Sequence, residues 1–416
     1  MDSVESELTK FFNSNYCLYP AISGLALSLL GMYLGTACIS LGSTLLLVFG
    51  TPLFLIHLKD LRLQRVLLAY FALLLAVVLS VFLAEPYPFW KPVSKLRYFV
   101  CFFASTWFYY RDPGLRMRIT RVALLLSFLV GILAPLQVLG ILSLPQWLFG
   151  VEPNPVSGFE HFSQATGLLR HHTAFGLSVI YLFHILLSQI LSSRTASERN
   201  FHLAGCGFCV VAIFCSFSRG AWLTWFFSTV FILFFYGDRR KKILTLSLMA
   251  SLVAGALAFS PSFRDRLSSL SLSQNTDRLE MVRFAVDEFK KHPLVGHGFG
   301  RFSYELKKYP ERKLRSGGHG HAHNIYLDMG AGSGLLGLLG LLWFFFLIGK
   351  KIVLSYRKSP RHSEDSTWFL GLLGIFVAFL FGGLFDEFLL WNQTLIPTLV
   401  ILGSAFGSES SLPKLR

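Results

Sequence analysis

Charge is scarce in this chain. Only 15% of its 416 residues are Asp, Glu, Lys or Arg, 53% are apolar, and the mean hydropathy is +0.55. Soluble domains carry about a quarter of their residues as charges, so a water-soluble chain of this length is excluded and most of it has lipid as its solvent. Long polar stretches are equally few, and none is large enough to fold as a soluble domain of its own. The N-terminus, MDSVESELTK, lacks the basic segment that opens a cleavable signal, so the first apolar segment is expected to be retained. Cysteine is limited to Cys17, Cys38, Cys101, Cys206, Cys209 and Cys215, all in or beside apolar runs. That distribution offers no disulfide framework. Cys206 and Cys209 have zinc-like spacing but no second pair, and no metal is expected there.

Apolar sequence in span-length pieces is what the chain does contain. Twelve segments approach the length that crosses a hydrocarbon core of about 30 Å: 20–37, 40–57, 66–84, 98–110, 122–144, 173–191, 201–217, 221–236, 243–259, 325–348, 367–385 and 392–407. In lipid the backbone polar groups of such an open chain find partners only within a helix. The expected fold is therefore an all-α polytopic membrane protein with about 12 transmembrane helices, forming a single transmembrane domain over 1–416. One large loop, 260–324, is inserted between the ninth and tenth helices.

Basic residues set the expected orientation. The runs LKDLRLQR at 58–65, RDPGLRMRITR at 111–121, DRRKK at 238–242 and KKIVLSYRKSPRH at 350–362 all fall on one side of twelve spans. By the positive-inside rule that side is cytoplasmic, with both termini. The loops 85–97, 145–172, 260–324 and 386–391 are then periplasmic. Between 261 and 322 there are twelve Lys and Arg against seven Asp and Glu, a net of +5. A loop this long escapes the charge rule. Its charge calls for an anionic partner, either a membrane-anchored phosphate or the lipid head groups themselves.

Within that loop, DRLE at 277–280 starts a helical pattern in which Leu279, Val282, Val286 and Phe289 share a face, and Pro293 ends it. This reads as an amphipathic helix on the membrane surface. Arg278 lies in its first turn, where free amides favour an anion, and is either a phosphate ligand or a solvated side chain. HPLVGHGFGRF follows, with Gly296, Gly298 and Gly300 allowing tight turns and close backbone approach to a ligand or a neighbouring helix. The loop then re-enters the membrane through GGHGHAHNIYLDMG, where His319, His321 and His323 alternate. Their spacing suits a metal in an extended segment. A neutral imidazole among basic side chains at a membrane surface is also suited to accept a proton near neutral pH.

Other polar residues converge on the same side. Arg219 stands in CSFSRGAWLTWF at a tight turn between two spans, where an ionised group is functional by default. Arg170, His171 and His172 enter the sixth span, and Asp386 and Glu387 lie between the last two.

These residues resemble the O-antigen ligase and polymerase superfamily of bacterial envelope enzymes. Arg219-Gly-Ala-Trp-Leu223 looks like the family's Arg-x-x-x-Leu element. His323-Asn324, nine residues and Gly334-Leu-Leu-Gly337 look like its signature His element. HPLVGHGFGRF resembles the turn between the two, and DRLEMVRFA the arginine-bearing periplasmic helix. The resemblance covers about 165–345; elsewhere only the number and length of spans agree. It implies a GT-C-like glycosyltransferase of the bacterial inner membrane, with His323 as the catalytic base and Arg219 and Arg278 as ligands of the donor diphosphate. His321, Asn324, Arg170, His171 and Asp386 are the accessory candidates.

The resemblance further implies undecaprenyl-pyrophosphate-linked O-antigen as donor and the lipid A core as acceptor, with membrane lipids around the protein and no nucleic acid. No cofactor or metal is chemically required, because a sugar on a pyrophosphate already has a good leaving group. A base for the incoming hydroxyl and cations for the departing diphosphate suffice, and single displacement predicts inversion. An O-antigen polymerase or a protein O-oligosaccharyltransferase would use the same groups with another acceptor. A transporter of an anionic solute or lipid-linked glycan would instead place ionisable residues near the bilayer midplane.

Overall fold

The computed structural model describes residues 14–59, 63–84, 93–142, 155–156, 159–169, 171–193, 195–236, 239–240, 242–243, 245–247, 249–251, 276–309 and 321–407. These residues are almost wholly helical. Helices α1 (Asn15–Leu34), α2 (Thr36–Ile56), α3 (Gln64–Leu83), α4 (Phe99–Arg111) and α5 (Leu115–Val138) precede a two-stranded antiparallel hairpin, β1 (Pro155–Val156) and β2 (Phe159–Ser163). Then come α6 (His172–Ser192), α7 (Ala196–Cys215), α8 (Arg219–Phe235), α9 (Thr276–Lys291) and the single turn α10 (Phe302–Leu306). The chain continues with α11 (Ile325–Lys358), α12 (Glu364–Gly382) and α13 (Asn392–Leu402).

Seven helices, α1, α2, α3, α5, α6, α11 and α12, are long and apolar enough to cross a membrane, and α8 is a shorter apolar helix. The chain is a polytopic helical membrane protein. The expected twelve spans are not all matched by such helices among the described residues. The segments 98–110 and 392–407 hold α4 and α13, of only 13 and 11 residues. Most of the segment 201–217 lies within α7, which begins in the polar run Ser197-Glu-Arg-Asn200, and most of 243–259 lies outside the described residues.

The bundle is organised around α6. Every residue from Thr173 to Ser188 on this helix is buried, as a helix apolar on all sides requires. It packs against α5, α7, α8 and α12. Small residues let the helices approach where lipid supplies no hydrophobic drive: a methyl on Gly340 of α11 would stand 2.9 Å from the Leu73 backbone of α3.

Helix ends sort to two sides. The start of α5 meets the start of α12 and the end of α13 through Arg116, which binds Asp365 at 2.6 Å and the Ser404 carbonyl at 3.0 Å. On that same side Tyr356 of α11 donates to the Phe235 carbonyl at the end of α8 at 3.2 Å, and Tyr236 donates to the Leu191 carbonyl near the end of α6. The starts of α6, α8, α11 and α13 and the end of α12 therefore form the other side.

The 276–309 segment caps that second side with a small core of its own: Met281, Phe284 and Ala285 from α9 meet Phe302, Leu306, Ala322 and Ala331. The helix buries Met281, Phe284, Ala285 and Glu288 in this core, while Leu279, Val282, Val286 and Phe289, the stripe expected to face the membrane surface, are half-buried. The glycine-rich turn explains the docking. Gly334 breaks α11 at φ +63°, ψ −163°, a conformation reserved for glycine, and a Cβ there would lie 2.3 Å from the Leu294 carbonyl. Backbone bonds cross the break, from His297 N to the Ala331 carbonyl and from Leu335 N to the Pro293 carbonyl, at 2.9 and 2.8 Å. Both the tight turns and the close approach to a neighbouring helix are observed for those glycines: Gly296, Gly298 and Gly300 have φ of +71°, +106° and +75°, and a Cβ on Gly296 would lie 2.4 Å from the Gly332 carbonyl.

Candidate functional site

His323 precedes α11 and has φ +53° although it carries a side chain, a backbone state that commonly costs about 1–3 kcal/mol and persists only where surroundings impose it. The surroundings are evident. Asn324 caps α11, its Oδ1 accepting from Tyr326 N at 2.9 Å and Leu327 N at 3.0 Å, and its Nδ2 donates to the Leu384 carbonyl at 3.2 Å. Ile325 N donates to the Gly383 carbonyl at 2.8 Å. The start of α11 is thus fastened to the end of α12, and Asn324 is a helix cap and tether.

This junction brings His323 Nδ1 to 3.2 Å from Asp386 Oδ1. The carboxylate is 2% exposed and the imidazole 13%. Asp386 also accepts from Glu387 N at 2.9 Å. Burial works to raise its pKa, but the hydrogen bond and charge of His323, followed by the charge of His171 and the Glu387 amide, outweigh it and hold the carboxyl below its ordinary value. Asp386 is therefore ionised at neutral pH and orients the ring that faces it.

Further rings surround the pair. His321 lies with its ring centroid 4.3 Å from that of His323, and its Nδ1 accepts from His323 N at 3.3 Å. Trp391 packs on His171 at 4.8 Å and on His321 at 5.9 Å between centroids. His171 caps α6 and stacks on His172 at 4.7 Å. Ligand atoms of His321, His323 and Asp386 lie within 4.8 Å of one another. The Nδ1 of His323 and Oδ1 of Asp386 are already within hydrogen-bond distance, and the three groups are also of a kind that can coordinate a cation.

Arg219 is the first residue of α8, capped by Ser218, whose Oγ accepts from Ala221 N at 3.3 Å. Ser218 Oγ also donates to Thr173 Oγ1 of α6 at 3.3 Å. A methyl on Gly220 would stand 3.1 Å from Phe385 Cβ, so the residue after Arg219 packs on the residue before Asp386. Arg278 is exposed in the first turn of α9. Arg170 and His319 lie outside the described residues.

Lys95, His297 and Asp328 escaped the sequence reading, and Glu387 was noted there only for its place between the last two spans. Lys95 donates to the Leu390 carbonyl in the loop that carries Asp386; a cation in the short 93–97 segment was its only signal. His297 of the glycine turn is 6% exposed, with no hydrogen-bond partner on either ring nitrogen among the described residues. Burial holds it below its ordinary pKa despite Glu288 and Glu305 nearby. Asp328, one turn into α11, accepts from Ala322 N at 2.8 Å. Glu387 is 1% exposed, and burial followed by the charge of Asp328 pushes its carboxyl well above the usual range.

Residues 204–344, about a third of the chain, match the model of a family described as O-antigen ligase. The matched segment contains Arg219, Arg278 and His323 but neither His171 nor Asp386. It supports the O-antigen ligase and polymerase superfamily as the chain's relation. No curated protein sequence matches the chain.

Proposed function

We propose, from that family match and the His323–Asp386 pair, that the protein transfers O-antigen polysaccharide from undecaprenyl pyrophosphate to the lipid A core oligosaccharide. The reaction takes place at the periplasmic face of the bacterial inner membrane. The observation that carries the reading is the contact between His323 Nδ1 and the ionised Asp386 at 3.2 Å. With Nδ1–H directed at the carboxylate, the other ring nitrogen is left as the proton acceptor.

In the proposed reaction His323 Nε2 takes the proton of an acceptor sugar hydroxyl as its oxygen attacks the anomeric carbon of the donor. The bond from that carbon to the pyrophosphate oxygen breaks, and the anomeric configuration inverts. Arg219 and Arg278 hold the charge that develops on the diphosphate. Arg219, the first residue of α8, would meet a diphosphate arriving there, where the helix N-terminus adds to its charge. Arg278 stands exposed on α9, which packs on α11, and is assigned to the outer phosphate. The leaving group needs no nucleotide or metal to depart. Twelve spans with both termini in the cytoplasm would put this end of the bundle in the periplasm.

The test is transfer by the purified full-length protein in detergent, supplied with undecaprenyl-pyrophosphate-linked O-antigen and lipid A core, without nucleotide and with chelator. Glycosylated lipid A core is the expected product. Lengthening of the donor glycan alone would assign the protein as a polymerase, and dependence on added metal would remove the proposed chemistry.

A further inference from the structure

Asp328 and Glu387 come together beside the site, each with one buried oxygen that receives no hydrogen bond from the described residues. Each has one carboxyl oxygen held by a backbone amide: Asp328 Oδ1 by Ala322 N at 2.8 Å, and Glu387 Oε1 by Leu390 N at 3.0 Å. Their remaining oxygens, Asp328 Oδ2 and Glu387 Oε2, are buried without any donor from the described residues. The two side chains come together in the wall of one small cavity. Two acceptors can bond only through a shared proton, and two buried carboxylates at contact cannot both ionise. Both acids line a cavity of about 10 Å³, with His297 in its wall, which is room for at most about one water.

The position of this pair gives it a task. Asp328 holds the amide of the residue before His323, and Glu387 follows Asp386 in sequence and donates its own amide to it. The groups facing the pair are His297 from the glycine turn and His323 from the start of α11, with Asp386 next in the loop. We propose that Asp328 and Glu387 are positioning residues that share one proton across their free oxygens. They thereby clamp the segment bearing His323 to the loop bearing Asp386 and fix the base against its orienting carboxylate. The inference rests on the reading of His323 as base.

Glu387→Gln keeps the geometry without the shared proton, because its amide donates to Asp328 while its oxygen accepts from Leu390 N. Glu387→Leu and Asp328→Leu remove the clamp. In the full-length protein, Glu387→Gln is expected to stay close to wild type. Each Leu variant should lose about 10²-fold in kcat at little-changed donor KM, the cost of misplacing a reacting group by about 1 Å.

Two readouts do not depend on transfer. In ester-free detergent at neutral pH, wild type should show an infrared carboxylic-acid C=O band that Glu387→Gln lacks. Hydrogen exchange at 321–324 should be slow in wild type and Glu387→Gln and fast in the Leu variants. Leu variants with full kcat and slow exchange would overturn the proposal. So would a Gln variant as impaired as Leu, or an unchanged acid band in Glu387→Gln; the band and the Gln variant decide the matter even if the Leu variants do not fold. A wild type that transfers nothing would sink the proposed reaction, while the band and the exchange still judge the pair.

Discussion

His323 Nδ1 and Asp386 Oδ1 lie 3.2 Å apart across 63 residues of sequence, joined because the start of α11 is hydrogen-bonded to the end of α12. A carboxylate in that place fixes the tautomer of the base and stabilises the imidazolium that forms in the reaction. Asp386→Asn is therefore expected to lower kcat by about 10²–10⁴, the range attributable to a base held in the wrong state. The melting temperature at neutral pH should fall, since the charge that faces His323 is lost, but the fold should persist because an asparagine oxygen still accepts from Glu387 N. Steady-state kinetics with a melting curve checks this; an active Asn variant would remove Asp386 from the mechanism.

The two neighbouring acids should respond to pH in opposite senses. Asp386 has its folded pKa below its ordinary value, so its stabilising contribution is present above the ordinary carboxyl range and is lost as pH falls through the folded value. Glu387 has its folded pKa well above the usual 4.5, so its contribution is complete below 4.5 and is lost as pH rises toward the folded value. Glu387→Gln removes only the second effect. Its melting temperature should gain on that of wild type as pH is raised from 4.5, and an offset independent of pH would show that Glu387 does not carry the proton.

Arg219→Lys keeps the charge and loses the planar fork that fits a diphosphate. Losing charge-assisted hydrogen bonds of about 1.5–3 kcal/mol corresponds to a rise of about 10- to 10²-fold in donor KM. The acceptor KM should move little. Varying donor and acceptor separately is the measurement, and a purely acceptor-side effect would reassign Arg219.

Gly334→Ala tests the docking of the 276–309 segment on α11. The Gly-only backbone state there costs any other residue about 1–3 kcal/mol, and the added methyl meets the Leu294 carbonyl at 2.3 Å. A lower melting temperature and faster proteolysis within 276–309 are expected. Wild-type values for both would mean that the break in α11 is not needed for docking.

Much of this architecture can be read from composition, because lipid leaves a long apolar run no choice but a helix, and α1, α2, α3, α5, α6, α11 and α12 all coincide with apolar runs in the sequence. The apolar runs at 98–110, 201–217 and 392–407 also became helices, but α4 and α13 are short and α7 begins in polar sequence, so none has the length and unbroken apolar character of a full span. The side of α9 that enters the protein was not legible, because Met281, Phe284 and Ala285 form as good a helical stripe as Leu279, Val282, Val286 and Phe289. Only the position of the second core chooses between them. His323 and Arg219 were legible as ionisable residues at span boundaries. The pairing of Asp328 with Glu387 was not, since it arises from two tertiary junctions that no local pattern encodes, and an acid one turn into an apolar helix gives no sign of its partner.

The most direct test of the account is the rate of glycan transfer from undecaprenyl-pyrophosphate-linked O-antigen to lipid A core by purified wild type and by His323→Ala, matched for melting temperature. The account predicts transfer by wild type and a rate lower by about 10²–10⁴ in the variant, the contribution of a general base. Transfer by folded His323→Ala at the wild-type rate would contradict it.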